Sequence, residues 1–354
     1  MVDAEQRFEP GQPHPYMYLV VIGLVGHPTI VAPAVAPDGY VLIVVVWIVV
    51  ASWAVWAAVR LLGLERGWVP VCAVSFTPYA APAAVLPLAL ALATGRWGAA
   101  AVAGVASVAL AGAVLPRAIG RRERGDGPLL RVLTANLLIG SCDPDALVDL
   151  VRDRAAEVVA VQEYTPEIDR KLRAAGLAEL LAHRATEPAP HGRGCALFSR
   201  YPLSPPGFRT HPGGHRAVFA TLDIPGTGPV YVECVHPLSL YRPGTVAPWR
   251  AGLAQLPAAG PDGPVRVLLG DFNATLDHAA LRALVGTGYR DAAAVAGRGL
   301  VPTWPYTAYG PVPRLTLDHV LADRRVRVGA VTVHPVPGSD HRAVCAELIL
   351  PSGG

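Results

Sequence analysis

Apolar positions are distributed along this chain in two ways. Residues 40–58 (YVLIVVVWIVVASWAVWAA) carry no charge, and a helix needs about 20 apolar residues to cross the hydrocarbon core of a bilayer. The run predicts a membrane-spanning helix. Residues 69–94 are also uncharged, but Pro70, Pro78, Pro82 and Pro87 each remove a backbone donor and predict a kinked second span. Residues 99–115, rich in Ala, Val, Gly and Leu and closed by Pro116 and Arg117, predict a third. Residues 16–36 read either as a fourth span or as an interfacial segment, because His27, Pro28 and Pro33 interrupt them. Asp3, Glu5 and Glu9 leave no basic start for a signal peptide.

The pattern changes from residue 119 onward. Arg121, Arg122 and Arg124, followed by Gly125, Asp126, Gly127 and Pro128, predict an exposed juxtamembrane linker. Residues 131–136 (RVLTAN) then read as a strand, and Asp143 with Pro144 as the cap and first turn of a helix whose apolar face is Leu147, Val148 and Val151. Residues 158–161 form a second strand ending at Gln162 and Glu163, and Thr165 with Pro166 opens a helix that stops at Gly176. Short strand-like runs follow at 194–198, 216–222, 230–236, 265–270, 315–321, 328–333 and 341–348. The expected organisation is an N-terminal segment (1–39), membrane helices (40–120), a linker (121–129) and a catalytic domain (130–354). Strands that predominate, with helices between some of them, predict an α/β fold in which two sheets face one another and helices cover the outside, a four-layer sandwich.

Composition agrees with a chain that lies partly in lipid. Of 354 residues 52% are hydrophobic and only 16% charged. After Gly127 there are 22 basic and 20 acidic residues, a near balance that gives a weak footprint for nucleic acid. The cysteines Cys72, Cys142, Cys195, Cys234 and Cys345 are odd in number, lack C-x-x-C spacing and read as small buried side chains.

The candidate chemistry sits where strands end and side chains leave the core. Asn136, Glu163, His236, Asp271, Asn273, Asp318, Asp340 and His341 all occupy such places. Each alone has an ordinary reading: Glu163 as a helix cap, Asp271 and Asn273 as an Asx turn, His236 and His341 as strand-end histidines. As a functional set they offer hard oxygen donors for a cation such as Mg2+ and imidazoles that titrate near neutrality.

Their order and spacing resemble one family, the endonuclease/exonuclease/phosphatase superfamily. The resemblance covers residues 130–350. It rests on LTAN (133–136), VQE (161–163), GCALFSRYPL (194–203), VECVHP around His236, GDFNAT (270–275), LDHVLA (317–322) and GSDHRAV (338–344). It implies the DNase-I-like four-layer sandwich and a phosphoesterase using Mg2+, with Mn2+ as the alternative. Glu163 then binds the metal with Asn136 and Asp340 close by, and Asn136 also reaches substrate. Asp271 orients or activates the water, Asn273 holds the phosphate, Asp318 fixes His341, and His236 contacts the scissile phosphate. Arg216, just before a strand, is a further phosphate contact. Pro237 after the histidine departs from the usual aliphatic residue and leaves the local loop open.

Three substrate readings remain at this stage. The first is a membrane-borne phosphate, a phospholipid or a polyprenyl pyrophosphate, favoured because a tether to the bilayer raises the effective concentration of lipid. The second is nucleic acid, and the third a non-catalytic binding module. No protein partner is legible. With three spans, Arg60, Arg66, Arg117, Arg121, Arg122 and Arg124 lie on one side and Arg7 and Arg96 on the other, which predicts a multi-pass membrane protein with a cytoplasmic catalytic domain. The architecture also resembles membrane-anchored bacterial members linked to glycopeptide resistance, and that likeness points to the outer face instead.

Overall fold

The computed structural model describes residues 37–306 and 313–352. It begins with apolar helices: α1 (Pro37–Leu62), α2 (Trp68–Val74), α3 (Thr77–Ala83), α4 (Val85–Ala93) and α5 (Trp97–Val114). Alanines dominate where α1, α4 and α5 meet, at Ala57, Ala91, Ala99, Ala103 and Ala106, and small side chains let helix backbones approach closely. The outward faces are apolar and bare, with Ile48 62%, Val105 72% and Val108 74% exposed.

Tyr40–Leu62 and Trp97–Arg117 are long and apolar enough to cross a membrane. Where a kinked middle span is expected there is a bent pair, Trp68–Val74 and Thr77–Ala93, at 67°, which makes a third span if the two helices cross together. The bend has a local cause. Ser75 and Phe76 donate to Cys72 O and Ala73 O in tightened turns of 3.3 and 2.9 Å, and Pro78 in the first turn of α3 has no N–H with which to continue the helix. The candidate span at 16–36 lies outside the described residues.

The rest of the chain forms two six-stranded sheets. The first holds β1 (Leu129–Asn136), β2 (Val158–Gln162), β3 (His183–Glu187), β4 (Cys195–Ser199), and, near the C-terminus, β11 (Arg327–Pro335) and β12 (Arg342–Ile349), in the order β11-β12-β1-β2-β4-β3. The second holds β5 (Leu203–Thr210), β6 (Arg216–Leu222), β7 (Val230–Val235), β8 (Val265–Asp271), β9 (Tyr289–Asp291) and β10 (Asp318–Asp323), in the order β5-β6-β7-β8-β10-β9. Alternation along β1 shows how the layers are made. Leu130 and Val132 enter the core between the sheets, while Leu133 and Ala135 face the helices α6 (Pro144–Asp153), α7 (Pro166–Ala174) and α8 (Leu177–Leu180). On the far side α9 (Val246–Ala254) and α10 (Ala279–Gly286) cover the second sheet through Trp249, Leu253, Leu281 and Leu284. A single turn, α11 (Ala292–Val295), follows β9. The result is the expected four-layer α/β sandwich.

Both helix starts named from sequence are capped as expected. Asp143 Oδ1 accepts from Asp145 N at 3.0 Å, and Thr165 Oγ1 from Ile168 N at 3.3 Å. Three strands lay outside the sequence reading: β3, β5 and β9. β5 carries Pro205 and Pro206 at a sheet edge, where a missing donor costs no ladder bond and the residues look like a loop.

The linker is exposed, as expected, and is docked as well. Arg121, Arg122 and Arg124 are exposed, but Arg121 N donates to Val295 O (3.0 Å) and Glu123 N to Val328 O (2.8 Å), and Glu123 binds Arg290 at 2.7 Å. The segment is docked through its backbone while its arginines face outward. α2 is docked as well: Val71 is fully buried in the core beside Trp249 and Phe272, and Trp68 Nε1 donates to Leu240 O at 2.8 Å.

Candidate active site

One cleft, with a cavity of about 840 Å3, opens where strands of both sheets end. Glu163, His236, Asp271, Asn273, Asp340 and His341 line it. Asn136 and Asp318 lie just behind, 1% exposed each, and are hydrogen-bonded to residues that line it. Asn136 Nδ2 donates to Glu163 Oε1 and to Asp271 Oδ2, both at 3.1 Å, so one amide links carboxylates from the two sheets. Its Oδ1 accepts from Leu138 N at 3.0 Å.

Glu163 leaves the end of β2 with left-handed backbone, φ 56, and Asn273 follows β8 with φ 48. Such conformations cost energy in non-glycine residues and persist where the surroundings impose them. Ile139 N donates to Glu163 Oε2 at 2.7 Å. Gly192 lies opposite: a Cβ there, at φ 72, would lie 2.9 Å from that oxygen. Gly270 is constrained, since a Cβ there would meet Val235 O at 1.9 Å. Asp271 Oδ1 accepts from Asn273 N at 2.8 Å, and Asn273 Nδ2 donates to Pro237 O at 3.0 Å. The loop carrying the unexpected proline thus holds the asparagine.

His341 Nδ1 donates to Asp318 Oδ2 at 2.8 Å, which turns Nε2 toward Asp271 Oδ2, 3.7 Å away. Ser339 Oγ accepts from His341 N (3.1 Å) and itself donates to Asn136 O (2.7 Å), tying this loop to β1. Trp304 Nε1 donates to Asp340 Oδ2 at 2.9 Å. His236 Nε2 stands 3.8 Å from Asp271 Oδ2, and its Nδ1 is 3.4 Å from Nδ1 of His215.

The electrostatics follow from burial. Desolvation pushes Glu163 above the usual carboxylate range, with Asp340 adding to the effect, and raises Asp271 to about 7. Burial works against charge on His341 too, but Asp318 and Asp271 outweigh it and lift the imidazole to about 10. His236 is held well below its ordinary value by burial, with His215 as the next cause. Four carboxylates outnumber the one imidazole lifted to hold a proton, that of His341, and so oxygen-rich a set suits a hard cation. Ligand atoms of Asp271, Asp318 and His341 lie within 4.8 Å of one another, and Asp318 Oδ1 is buried without a partner. The oxygen-rich donor set therefore fits a divalent metal.

Arg216 is not brought to the cleft. It is half exposed and its guanidinium pairs with Glu187 at the end of β3, from one sheet to the other. The cleft gains residues that sequence reasoning did not single out: His191, Arg193 and His215 from loops, Trp304, and Cys72, Ser75 and Phe76 from the apolar helices. His191 and Arg193 stand beside the quoted GCALFSRYPL motif, and that adjacency was the available signal. For Cys72, Ser75 and Phe76 there was none.

A family model described as the Endonuclease/Exonuclease/phosphatase family matches residues 133–341. No curated protein matches the sequence. Among solved structures, an endonuclease/exonuclease/phosphatase from Beutenbergia cavernae aligns at 21% identity over 66% of this chain and 72% of its own, with a TM-score of 0.52. One from Bacteroides vulgatus aligns at 16% identity over 63% of this chain and 100% of its own, with a TM-score of 0.51. A humanized D. rerio TDP2 bearing 14 mutations aligns at 15% identity over 62% and 98%, with a TM-score of 0.52. At these identities the structural likeness is one of fold.

Proposed function

The chain belongs to the endonuclease/exonuclease/phosphatase family, and from that premise we propose that it is a divalent-metal-dependent hydrolase of phosphate esters, anchored in a membrane and acting on a phosphate carried by a membrane lipid. The observation that carries the reading is the convergence of Glu163, His236, Asp271, Asp340 and His341 on one cleft. The anchor is supported by the bare apolar faces of α1 and α5, which a bilayer solvates and water does not.

Glu163 and Asp340 would hold the cation, with Asn136 keeping Glu163 and Asp271 in register. Mg2+ suits such oxygen donors and Mn2+ is the alternative. When bound, the metal supplies charge that polarises a phosphoryl oxygen. Asp271 orients the attacking water and accepts its proton as the water oxygen bonds to phosphorus and the ester P–O bond breaks. Asn273 spends one amide hydrogen on Pro237 O and has the other for a phosphoryl oxygen. His341, fixed by Asp318, and His236 face the phosphate from either side of Asp271, and the proton ends on the leaving oxygen. Water attacks directly in this scheme, with no covalent intermediate on the protein.

The near balance of 22 basic and 20 acidic residues after Gly127 offers little counterion release on binding DNA, which favours lipid over nucleic acid. The arginine pattern supports a cytoplasmic catalytic domain. The test is to assay the purified full chain against phospholipids, a polyprenyl pyrophosphate and DNA, with Mg2+, with Mn2+ and with EDTA. Metal-dependent hydrolysis of a lipid substrate is expected. Cleavage of DNA alone would make the protein a membrane-tethered nuclease.

A further inference from the structure

The cavity of about 840 Å3 is far larger than a phosphoryl group requires, since pockets of roughly 300–1,000 Å3 enclose a whole drug-sized ligand. Its walls differ in kind. One carries the carboxylates and imidazoles. The other is built where α2 breaks into α3, from Cys72, Ser75 and Phe76, together with Leu238, Leu240 and Tyr241 of the loop after β7.

This second wall is fixed to the catalytic layers. His278 Nε2 lies 3.0 Å from Val71 O and 3.3 Å from Ser75 Oγ, and Tyr79 OH donates to Arg314 O at 2.8 Å. The same short helices carry bare apolar side chains, Val69 at 68% and Tyr79 at 47% exposure, and Tyr241 in the wall is itself 61% exposed. A helix in an otherwise apolar bundle has been bent by 67°, and the bend lies in the wall of the reactive cleft.

We infer that the α2–α3 break is the specificity element of the cleft: the hydrocarbon portion of the substrate lies against Phe76 and Leu240 while its phosphate reaches Glu163 and Asp271. This rests on the phosphoesterase reading and adds to it that the apolar helices select the substrate as well as anchor the enzyme. Hydrocarbon is the occupant because Phe76, Leu238, Leu240 and Tyr241 line this wall and the helices on either side of Phe76 leave Val69 and Tyr79 bare, apolar surface on which a lipid chain is removed from water.

The experiment uses the full chain in detergent with nitrophenyl esters of ethyl phosphate, hexadecyl phosphate and thymidine phosphate, followed by nitrophenol release with Mg2+. The parent should prefer the hexadecyl ester to the ethyl ester in kcat/KM. Phe76→Ala should lower that preference by about tenfold, the loss expected when an apolar contact worth about 1.4 kcal/mol is removed, and Phe76→Leu should largely restore it. An unchanged preference in Phe76→Ala, or none in the parent, overturns the inference while leaving the phosphoesterase reading intact. Selection of the thymidine ester through Phe76 overturns it in favour of a base-binding wall. If the parent hydrolyses none of the three esters with metal, the phosphoesterase reading falls and the inference with it.

Discussion

Arg60, in the last turn of α1, places Nε 2.5 Å from Oδ1 of Asp277, a carboxylate in the loop that follows the Asp271–Asn273 turn. Arg117, after α5, grips the same carboxylate through two bonds of 2.7 and 2.5 Å. All three side chains are buried, Asp277 completely. The two apolar helices are therefore clamped to the catalytic layers beside the site.

Removing Asp277 strands two buried guanidinium groups. Breaking one partner of a buried ion pair costs about 3–5 kcal/mol, against roughly 0–1 for a surface pair. Asp277→Ala should accordingly show a large fall in thermal midpoint in detergent. A shift no greater than that of a surface control such as Asp149→Ala would mean that the clamp does not hold the layers together.

In the proposed site Glu163 holds the metal. Glu163→Ala should lower kcat by about a hundredfold or more at saturating Mg2+, in keeping with the several kcal/mol a metal supplies, and the far-ultraviolet circular dichroism should not change. Turnover at the parent rate would remove Glu163 from the site.

Gly192 tests the same carboxylate without replacing it. The Cβ of Gly192→Ala would lie 2.9 Å from Glu163 Oε2 at a residue with φ 72, so Glu163 must shift. The Mg2+ concentration for half-maximal activity should rise by about tenfold, as for other changes to groups that orient a metal ligand. An unchanged metal requirement would show that Glu163 does not set it.

Asp318 and His341 share a bond of 2.8 Å, and in the proposed mechanism the aspartate holds the imidazole. Asp318→Asn and His341→Ala should each cost similar activity and the double variant little more, because residues acting as a unit are non-additive. Free-energy losses that simply add would separate them.

The parts of this molecule that were legible in the sequence are those with a local signature. Strands such as β8 end abruptly in Gly-Asp-Phe-Asn, and Asp143-Pro144 and Thr165-Pro166 announce helix starts. The convergence of Glu163, Asp271 and His341 was legible only through resemblance, since no local rule brings together side chains from β2, β8 and the turn before β12. The docking of α2 left no trace at all. Ser75 meets His278 across 203 positions of sequence, and an apolar residue facing lipid looks the same as one facing a protein core. The docking of the linker was hidden for a related reason: side chains that face solvent say nothing of a backbone that is paired.

The clamp also bears on the side of the membrane. On the three-span reading, with the bent pair crossing as one span, Arg60, Arg66, Arg117, Arg121, Arg122 and Arg124 would share the side of the catalytic domain, six against the two, Arg7 and Arg96, that this reading counts opposite. The structure assigns two of the six, Arg60 and Arg117, to Asp277, a role they would fill on either side. Arg66, Arg121, Arg122 and Arg124 remain exposed, still twice the number opposite, and short flanking segments rich in arginine stay in the cytoplasm. A reporter active only outside the membrane, fused after Gly354, should give no signal, while one active only in the cytoplasm should give a strong one. The reverse pattern would place the cleft on the outer face and make a lipid exposed there its substrate. Replacing the four exposed arginines with glutamine should weaken the orientation, whereas replacing Asp277 should lower stability without inverting the protein.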